Sequence, residues 1–244
     1  MLRLWARVKR VEPFEAEIEL QKIACAYLRS LEAAASRSVI YREFSSARFA
    51  DVISLNFDRR IALSFSGSQF KCGPNPCPQG SHGETLYRHD LLQHAGGMRT
   101  RIWYPHGDTK KFSTLKLGVR KYGFYLGTIA EADSGQGESW RFTRSWDQWD
   151  NLPASDPGAP KWTDPFLDRT LVFIGCGLSF DEWPLWSGLR GRAGQAARRR
   201  KPAYFLTASA LAPDHASALA DHGLTLISFP SYDHLWDEVR SAIV

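Results

Sequence analysis

The stretch Leu171-Val172-Phe173-Ile174-Gly175-Cys176-Gly177 decides the fold class of this chain. It begins with a continuous apolar run of strand length, and glycines follow that run at once. Two more apolar runs, at 203–206 and 224–228, alternate with stretches of helical pattern. Strands that alternate with helices predict a parallel sheet with right-handed crossovers. Because the runs are almost entirely apolar, we expect both faces of that sheet to be covered.

The rest of the chain extends the same α/β pattern. Further strands are predicted at 51–55 and 101–104, and helices at 13–35, from about 115 to 132, up to 200, at 214–221 and at 233–242. Glycine and proline interrupt every pattern between 64 and 97, which predicts an irregular insertion there. We therefore predict one domain, 1–244, built on a Rossmann-like parallel sheet flanked by helices.

The composition of the chain excludes several classes of protein. Of its 244 residues, 43% are hydrophobic and 23% are charged, which excludes a chain that is disordered throughout. No run of eighteen apolar residues occurs, so no segment is predicted to span a membrane. Residues 1–10 mix charged and apolar residues rather than forming a secretory signal, and the four cysteines are scattered. Both observations predict a cytoplasmic protein without a disulfide framework.

Three of the predicted strands end in residues that carry chemistry. They are followed by Leu55-Asn56-Phe57-Asp58, by His106-Gly107-Asp108, and by Gly175-Cys176-Gly177-Leu178-Ser179-Phe180-Asp181. Taken singly, each motif is typical of a turn or a helix cap. In an open α/β sheet, however, ligands bind at the carboxyl ends of the strands. The order and placement of the three motifs therefore predict a ligand site.

In this order the motifs resemble the SIR2-like (sirtuin-like) domains, most closely the bacterial branch found in anti-phage defence. The resemblance covers about residues 50–244 and implies that NAD is the substrate and that the bond to nicotinamide is hydrolysed. It implies that Asn56 holds the nicotinamide ribose or a water, and that His106 is the base. Other motif positions would bind the nucleotide: Asp58, Gly107, Asp108, Gly175, Cys176, Gly177, Leu178 and Ser179.

The chemistry of the residues explains two of these binding roles. Asp58 is expected either to accept a hydrogen bond from a ribose hydroxyl or to cap the next helix. Gly175 and Gly177 are expected to let backbone N–H groups approach the ribose or a phosphate closely.

The chain departs from the family at its start. SIR2-like domains begin with a strand and a Gly-Ala-Gly-x-Ser loop that holds the pyrophosphate, whereas residues 1–66 contain no glycine. The loop is then missing from the sequence, supplied by a partner, or replaced by a degenerate site. The alternative function is a catalytically silent module that binds a nucleotide, nucleic acid or a protein partner.

Other features suggest further ligands and partners. A zinc site is an alternative for the cysteines and histidines of the insertion, although we expect no metal: Cys72, Cys77, His82 and His89. Two basic runs, 190–201 and 110–121, favour either solvated helix ends or nucleic-acid contact. Four tryptophans suggest a partner surface or a lid over a nucleotide: Trp140, Trp146, Trp149 and Trp162. We also predict a protein partner or a homo-oligomer.

Overall fold

The computed structural model describes residues 13–32, 49–65, 68–71, 84–94, 97–117, 160–194 and 201–243. These residues form two compact units, which are described separately. The first unit comprises the described residues up to Pro160, and the second comprises those from Lys161 onward. Both units contain helices and strands, so the α/β class predicted from the sequence is confirmed.

The first unit is built on a four-stranded mixed sheet. Its described elements are α1 (Pro13–Glu32), β1 (Asp51–Ile53), α2 (Arg60–Leu63), β2 (Gln69–Lys71), β3 (His89–Gln93) and β4 (Arg99–Trp103), with 3-10 turns at Glu84–Leu86 and Phe112–Thr114. The strand order is β1-β4-β3-β2. β1 runs parallel to β4, while β3 pairs antiparallel with both β4 and β2. The strands predicted at 51–55 and 101–104 therefore exist, shifted by one or two residues at their ends.

Two expectations are wrong in this unit. The sheet is mixed rather than parallel, and the segment 64–97 is not irregular throughout, because it contains β2 and β3. The pattern of β3 is hidden because its first two residues, His89 and Asp90, are polar yet buried. Of the helix predicted from about 115 to 132, residues 115–117 are extended and the others lie outside the described residues.

The core of the first unit lies against the face of the sheet near β4. Ala62, Ile102 and Tyr104 are almost fully buried there, and Leu92 packs with them. Phe70 and several aliphatic side chains are partly buried around this cluster. Burial of about 25 cal/mol per Å² of apolar area stabilises such a cluster and fixes the ends of β1 and β4.

The second unit contains a three-stranded parallel sheet, as the sequence predicts. Its described elements are α3 (Thr163–Asp168), β5 (Leu171–Ile174), α4 (Trp183–Ala193), β6 (Ala203–Thr207), α5 (Pro213–Asp221), β7 (Thr225–Ser228) and α6 (Tyr232–Ile243). The strands lie in the order β5-β6-β7, and each neighbouring pair is parallel. Helices follow all three strands, which is the flanked parallel arrangement expected from the apolar runs.

The expectation that both faces of this sheet are covered is wrong. All four residues of β7 are exposed, and Val172 on β5 is 44% exposed. Phe205 on β6, by contrast, is 2% exposed. Only β6 has a neighbouring strand on both sides among the described residues, so the two outer strands are less shielded. No helix of the described residues is both long and apolar enough to cross a membrane.

Candidate functional site

The parallel pairing of β1 and β4 brings two of the three motifs together. Ile53 pairs with Trp103 at the end of the ladder, and the N–H of Ser54 donates to the Trp103 carbonyl at 2.9 Å. The indole Nε1 of Trp103 also donates to a carboxylate oxygen of Asp51 at 2.8 Å. Because both strands end at the same edge, the segments 55–58 and 105–108 leave the sheet side by side.

His106 is held by the loop that carries Asn56. Its Nδ1 lies 3.2 Å from the carbonyl oxygen of Leu55, the residue before Asn56. A carbonyl can only accept, so Nδ1 carries the proton and the lone pair of the neutral ring is on Nε2. The His106 side chain is buried, with the Phe57 ring 6.2 Å away, whereas Asn56 is exposed.

Gly107 makes the turn after His106, and no other residue fits there. Its φ is +93°, and an added Cβ would lie 2.2 Å from the backbone oxygen of Thr114. The same segment returns a hydrogen bond, from the N–H of Lys116 to the His106 carbonyl at 2.8 Å. Close packing of backbone on backbone therefore fixes the position of His106.

The two acidic residues of these motifs are engaged by arginines. Asp58 accepts a hydrogen bond from the N–H of Arg60 at 3.1 Å, at the start of α2, and also pairs with the Arg60 guanidinium. Asp108 is fully buried, and both of its carboxylate oxygens pair with Arg88. One of them also accepts from the N–H of Lys110 at 2.8 Å. Arg59, not Asp58, occupies the N-cap position of α2, so Asp58 makes a turn contact with Arg60 rather than the expected cap.

Helix α1 joins the two motif loops, which the sequence did not predict. One carboxylate oxygen of Glu32 accepts from the N–H of Arg59 at 2.7 Å and from the hydroxyl of Thr109 at 2.5 Å. Arg29 and Cys25 both donate to the Thr109 carbonyl, at 2.7 and 3.0 Å. Burial raises the pKa of the Cys25 thiol, so the thiol stays protonated as a donor. The available signal was the set of polar side chains on one face of α1.

A second buried carboxylate, Asp90, organises the other side of this unit. It accepts two hydrogen bonds from the Arg59 guanidinium, at 2.9 and 2.5 Å, and one from the Tyr104 hydroxyl at 2.6 Å. Burial and the nearby Asp90 charge raise the pKa of Tyr104 well above its ordinary value. Arg59 itself is buried, which lowers its pKa, but its hydrogen bond to Asp90 and the Asp90 charge raise that pKa overall.

The third motif forms the loop after β5 in the second unit. Gly175 has a φ of +66°, and an added Cβ at Gly175 or Gly177 would meet nothing within 4 Å. Leu178 has the rare φ of +41°, and its carbonyl accepts from Nε2 of His215 at 3.0 Å. Burial raises the pKa of Cys176 to about 11. The loop backbone is thus fixed, with open space beside both glycines.

Ser179 and the residues after it form the exposed end of that loop. The Ser179 side chain is exposed, while its carbonyl accepts from the indole Nε1 of Trp186 at 2.9 Å. Phe180 is 52% exposed and stacks on Trp186 with a centroid separation of 5.7 Å. The loop therefore presents a hydroxyl and an aromatic face together, which suits a ribose and a base.

The described residues give little support to the alternative of a zinc site in the insertion. His89 is buried, contacts the Tyr87 carbonyl at 2.8 Å and lies 4.5 Å from the Trp103 ring, while Cys72, Cys77 and His82 lie outside the described residues. Groups of three or more metal-ligating side chains do not occur in the part of the chain that the structure describes.

Two residues of the candidate partner surfaces are buried. Trp162 is 1% exposed and packs edge-on against Phe166, so its assignment to a partner surface or lid is wrong. Arg192 of the basic run 190–201 is also buried and donates to the carbonyls of Phe166 and Leu167 at 2.6 and 2.8 Å. Trp140, Trp146 and Trp149 lie outside the described residues.

The described residues thus define an α/β protein with a candidate site at the parallel strand ends of its first unit. Comparisons of the chain with models of protein families, with curated proteins and with solved structures found no match.

Proposed function

We propose that this protein binds NAD and hydrolyses the bond between nicotinamide and ribose, as its likeness to the SIR2-like domains implies. One observation carries the proposal: Nδ1 of His106 is held by the carbonyl of Leu55, next to Asn56. A base that is oriented through one ring nitrogen has its second ring nitrogen fixed in position as well, and a positioned imidazole is what general-base catalysis requires. The likeness is also the support for a role in anti-phage defence.

The proposed reaction consumes NAD and one water. The bond from ribose C1′ to the nicotinamide nitrogen breaks, and its electron pair leaves with nicotinamide through an oxocarbenium-like state. The water oxygen then bonds to C1′, and Nε2 of His106 takes the proton that the water loses. Asn56, with an amide that both donates and accepts, would hold the water or the ribose. The products are nicotinamide, ADP-ribose and a proton.

A second function, a silent module that binds a nucleotide, is favoured by one observation. The carboxylates of Asp58 and Asp108 are engaged by Arg60 and Arg88, so neither is presented to a ribose hydroxyl in this arrangement. Binding would then depend on the loop glycines and on cationic side chains, without the full set of polar contacts for catalysis.

Nicotinamide release from NAD by the full-length chain tests the proposal. The variant His106→Asn keeps an N–H donor for the Leu55 carbonyl but removes the basic nitrogen, so we expect release to fall by about 10² or more. Asn56→Ala should reduce release while leaving folding unchanged, because Asn56 is exposed. His234→Ala, which removes an exposed histidine in the second unit, is the matched control and should keep full activity.

Each result distinguishes the two functions. Release that depends on His106 and Asn56 but not on His234 supports the hydrolase. Binding of NAD by calorimetry without any nicotinamide release, also in the presence of cell extract, overturns it in favour of the silent module. Circular dichroism of each variant tests whether a loss of activity comes from a loss of the fold.

A further inference from the structure

Three cationic side chains surround one aromatic ring in the first unit. The guanidinium carbons of Arg59 and Arg88 lie 5.0 and 4.9 Å from the centroid of the Phe70 ring, and Nζ of Lys110 lies 4.2 Å from it. We call these three side chains with Phe70 the cation cluster. Contact with the negative face of a ring stabilises each cation, but three like charges at one ring also repel one another.

The cation cluster carries three positive charges, whereas the two buried carboxylates that pair with it carry two negative charges. Asp90 pairs with Arg59, and Asp108 pairs with Arg88. No carboxylate among the described residues pairs with the Lys110 ammonium, which is the exposed member of the cluster. Burial, followed by the neighbouring Arg59 charge, lowers the pKa of Lys110 overall, while the Asp90 and Asp108 charges act in the opposite direction.

The arginines also keep donors beyond those that bind the carboxylates. Each guanidinium has five N–H donors, and each uses only its Nε and one terminal nitrogen on Asp90 or Asp108. The remaining donors of Arg59 and Arg88 have no acceptor among the described residues. An oxyanion beside Lys110 would accept from these donors and supply the missing negative charge.

The cation cluster adjoins the two loops that carry Asn56 and His106. Arg59 follows Asn56 by three residues, and Lys110 follows His106 by four. One oxygen of Glu32 bonds both the N–H of Arg59 and the hydroxyl of Thr109, so these two positions are neighbours in space. The phosphates of a ligand bound at the motif loops would therefore lie within reach of the cation cluster.

We propose that Arg59, Arg88 and Lys110 form an oxyanion subsite that binds the diphosphate of a nucleotide. The inference rests on the proposed function for the identity of that nucleotide as NAD. In this subsite the charge of the diphosphate is met by cationic side chains, which bind phosphate oxygens through charge-assisted hydrogen bonds.

Titration of the full-length protein with inorganic pyrophosphate, followed by calorimetry, tests the subsite without requiring catalysis. Lys110→Met keeps an apolar stem over Phe70 and removes the charge, so we expect the Kd for pyrophosphate to rise about tenfold. The matched control is Lys111→Met, which removes the same charge from the next residue, whose ammonium pairs with Glu84 at 2.7 Å. Its Kd should stay within about twofold of the parent. Arginine variants are avoided because they would leave Asp90 or Asp108 buried without a partner.

The outcomes separate this inference from the proposed function. A Kd that rises with Lys110→Met and not with Lys111→Met supports the subsite, even if no nicotinamide is released. Equal effects of the two variants, or no pyrophosphate binding by a protein that does cleave NAD, overturn the subsite and leave the hydrolase standing. Binding of nicotinamide riboside, which has no diphosphate, should be equal for the parent and Lys110→Met, and a loss there would also overturn the subsite.

Discussion

Among the glycines assessed in the described residues, Gly107 is the one whose replacement the backbone tolerates least. Its φ of +93° lies in the region that side chains with a Cβ rarely adopt. In addition, the space that a Cβ would occupy is filled by backbone atoms of Thr114 and Leu115, at 2.2 to 2.8 Å. Backbone cannot move aside as a flexible side chain can, so strain and overlap act together at this position.

We therefore expect Gly107→Ala to lower the free energy of unfolding by at least about 2 kcal/mol. Gly97→Ala is the matched control, because Gly97 has a φ of +83° but nothing within 4 Å of an added Cβ. That control should cost only about 1 kcal/mol, the conformational part alone. Urea denaturation monitored by circular dichroism measures both values, and equal losses would contradict the close packing described for Gly107.

Residues of the candidate site differ in how far the sequence reveals them. Asn56 and His106 follow recognisable strand ends, and the structure brings His106 against Leu55, the residue before Asn56. Glu32, Arg88 and Asp90 stayed hidden because their partners are distant in sequence; Glu32 and Thr109, for example, are 77 residues apart. Such pairings depend on the tertiary fold, which hydrophobic periodicity does not contain.

At the scale of elements, α1 acts as a clamp on the site. Its inner face supplies four side chains to the loops beyond β1 and β4: Gln21, Cys25, Arg29 and Glu32. Gln21, Cys25 and Arg29 donate to backbone carbonyls of residues 109–115, whereas Glu32 accepts from both loops. The position of His106 relative to Asn56 thus depends on a helix that carries neither residue.

Glu32→Ala should lower the free energy of unfolding by about 1–2 kcal/mol, because the N–H of Arg59 and the hydroxyl of Thr109 both lose a charged acceptor. Glu32→Gln keeps an acceptor oxygen and should cost less. Glu19→Ala, an exposed position on the same helix, serves as the control and should be nearly neutral. If thermal or urea unfolding shows the same loss for Glu19→Ala and Glu32→Ala, α1 does not clamp the loops through Glu32.

Elements with continuous apolar runs were predictable, and elements with buried polar residues were not. The strands at β5, β6 and β7 follow directly from their runs, with β5 matching at both ends. The strand β3 was missed because Asp90 is fully buried within it, where Arg59 and the Tyr104 hydroxyl stabilise its carboxylate. The coverage of the second sheet was overestimated because an apolar run does not reveal which strands lie at an edge.

For the molecule as a whole, alkaline pH acts on three acidic groups whose pKa is raised by burial. Burial raises the pKa of the Cys25 thiol above its ordinary value of 9.0 and that of Cys176 to about 11. Burial and the Asp90 charge raise the pKa of Tyr104 well above 10.0. In each case the unfolded chain loses its proton at a lower pH than the folded chain. The contribution of these groups to the free energy of unfolding is therefore fully present below about pH 9 and is lost as the pH rises. Lys110, whose pKa is lowered, acts in the opposite direction.

The Tyr104→Phe variant isolates the contribution of Tyr104. In the parent protein the free energy of unfolding should fall from pH 9 as the thiols ionise in the unfolded chain, and more steeply above pH 10 as tyrosine joins them. Each group adds a slope of about 1.4 kcal/mol per pH unit between its unfolded and folded pKa.

Tyr104→Phe loses the hydrogen bond to Asp90 at every pH but should remove the added slope above pH 10, since phenylalanine has no proton to lose. Tyr232→Phe, at an exposed tyrosine, should leave the slope unchanged. Urea denaturation at pH 8 to 11 measures these slopes, and a parent slope that persists in Tyr104→Phe would show that Tyr104 ionises as readily in the folded protein as in the unfolded chain.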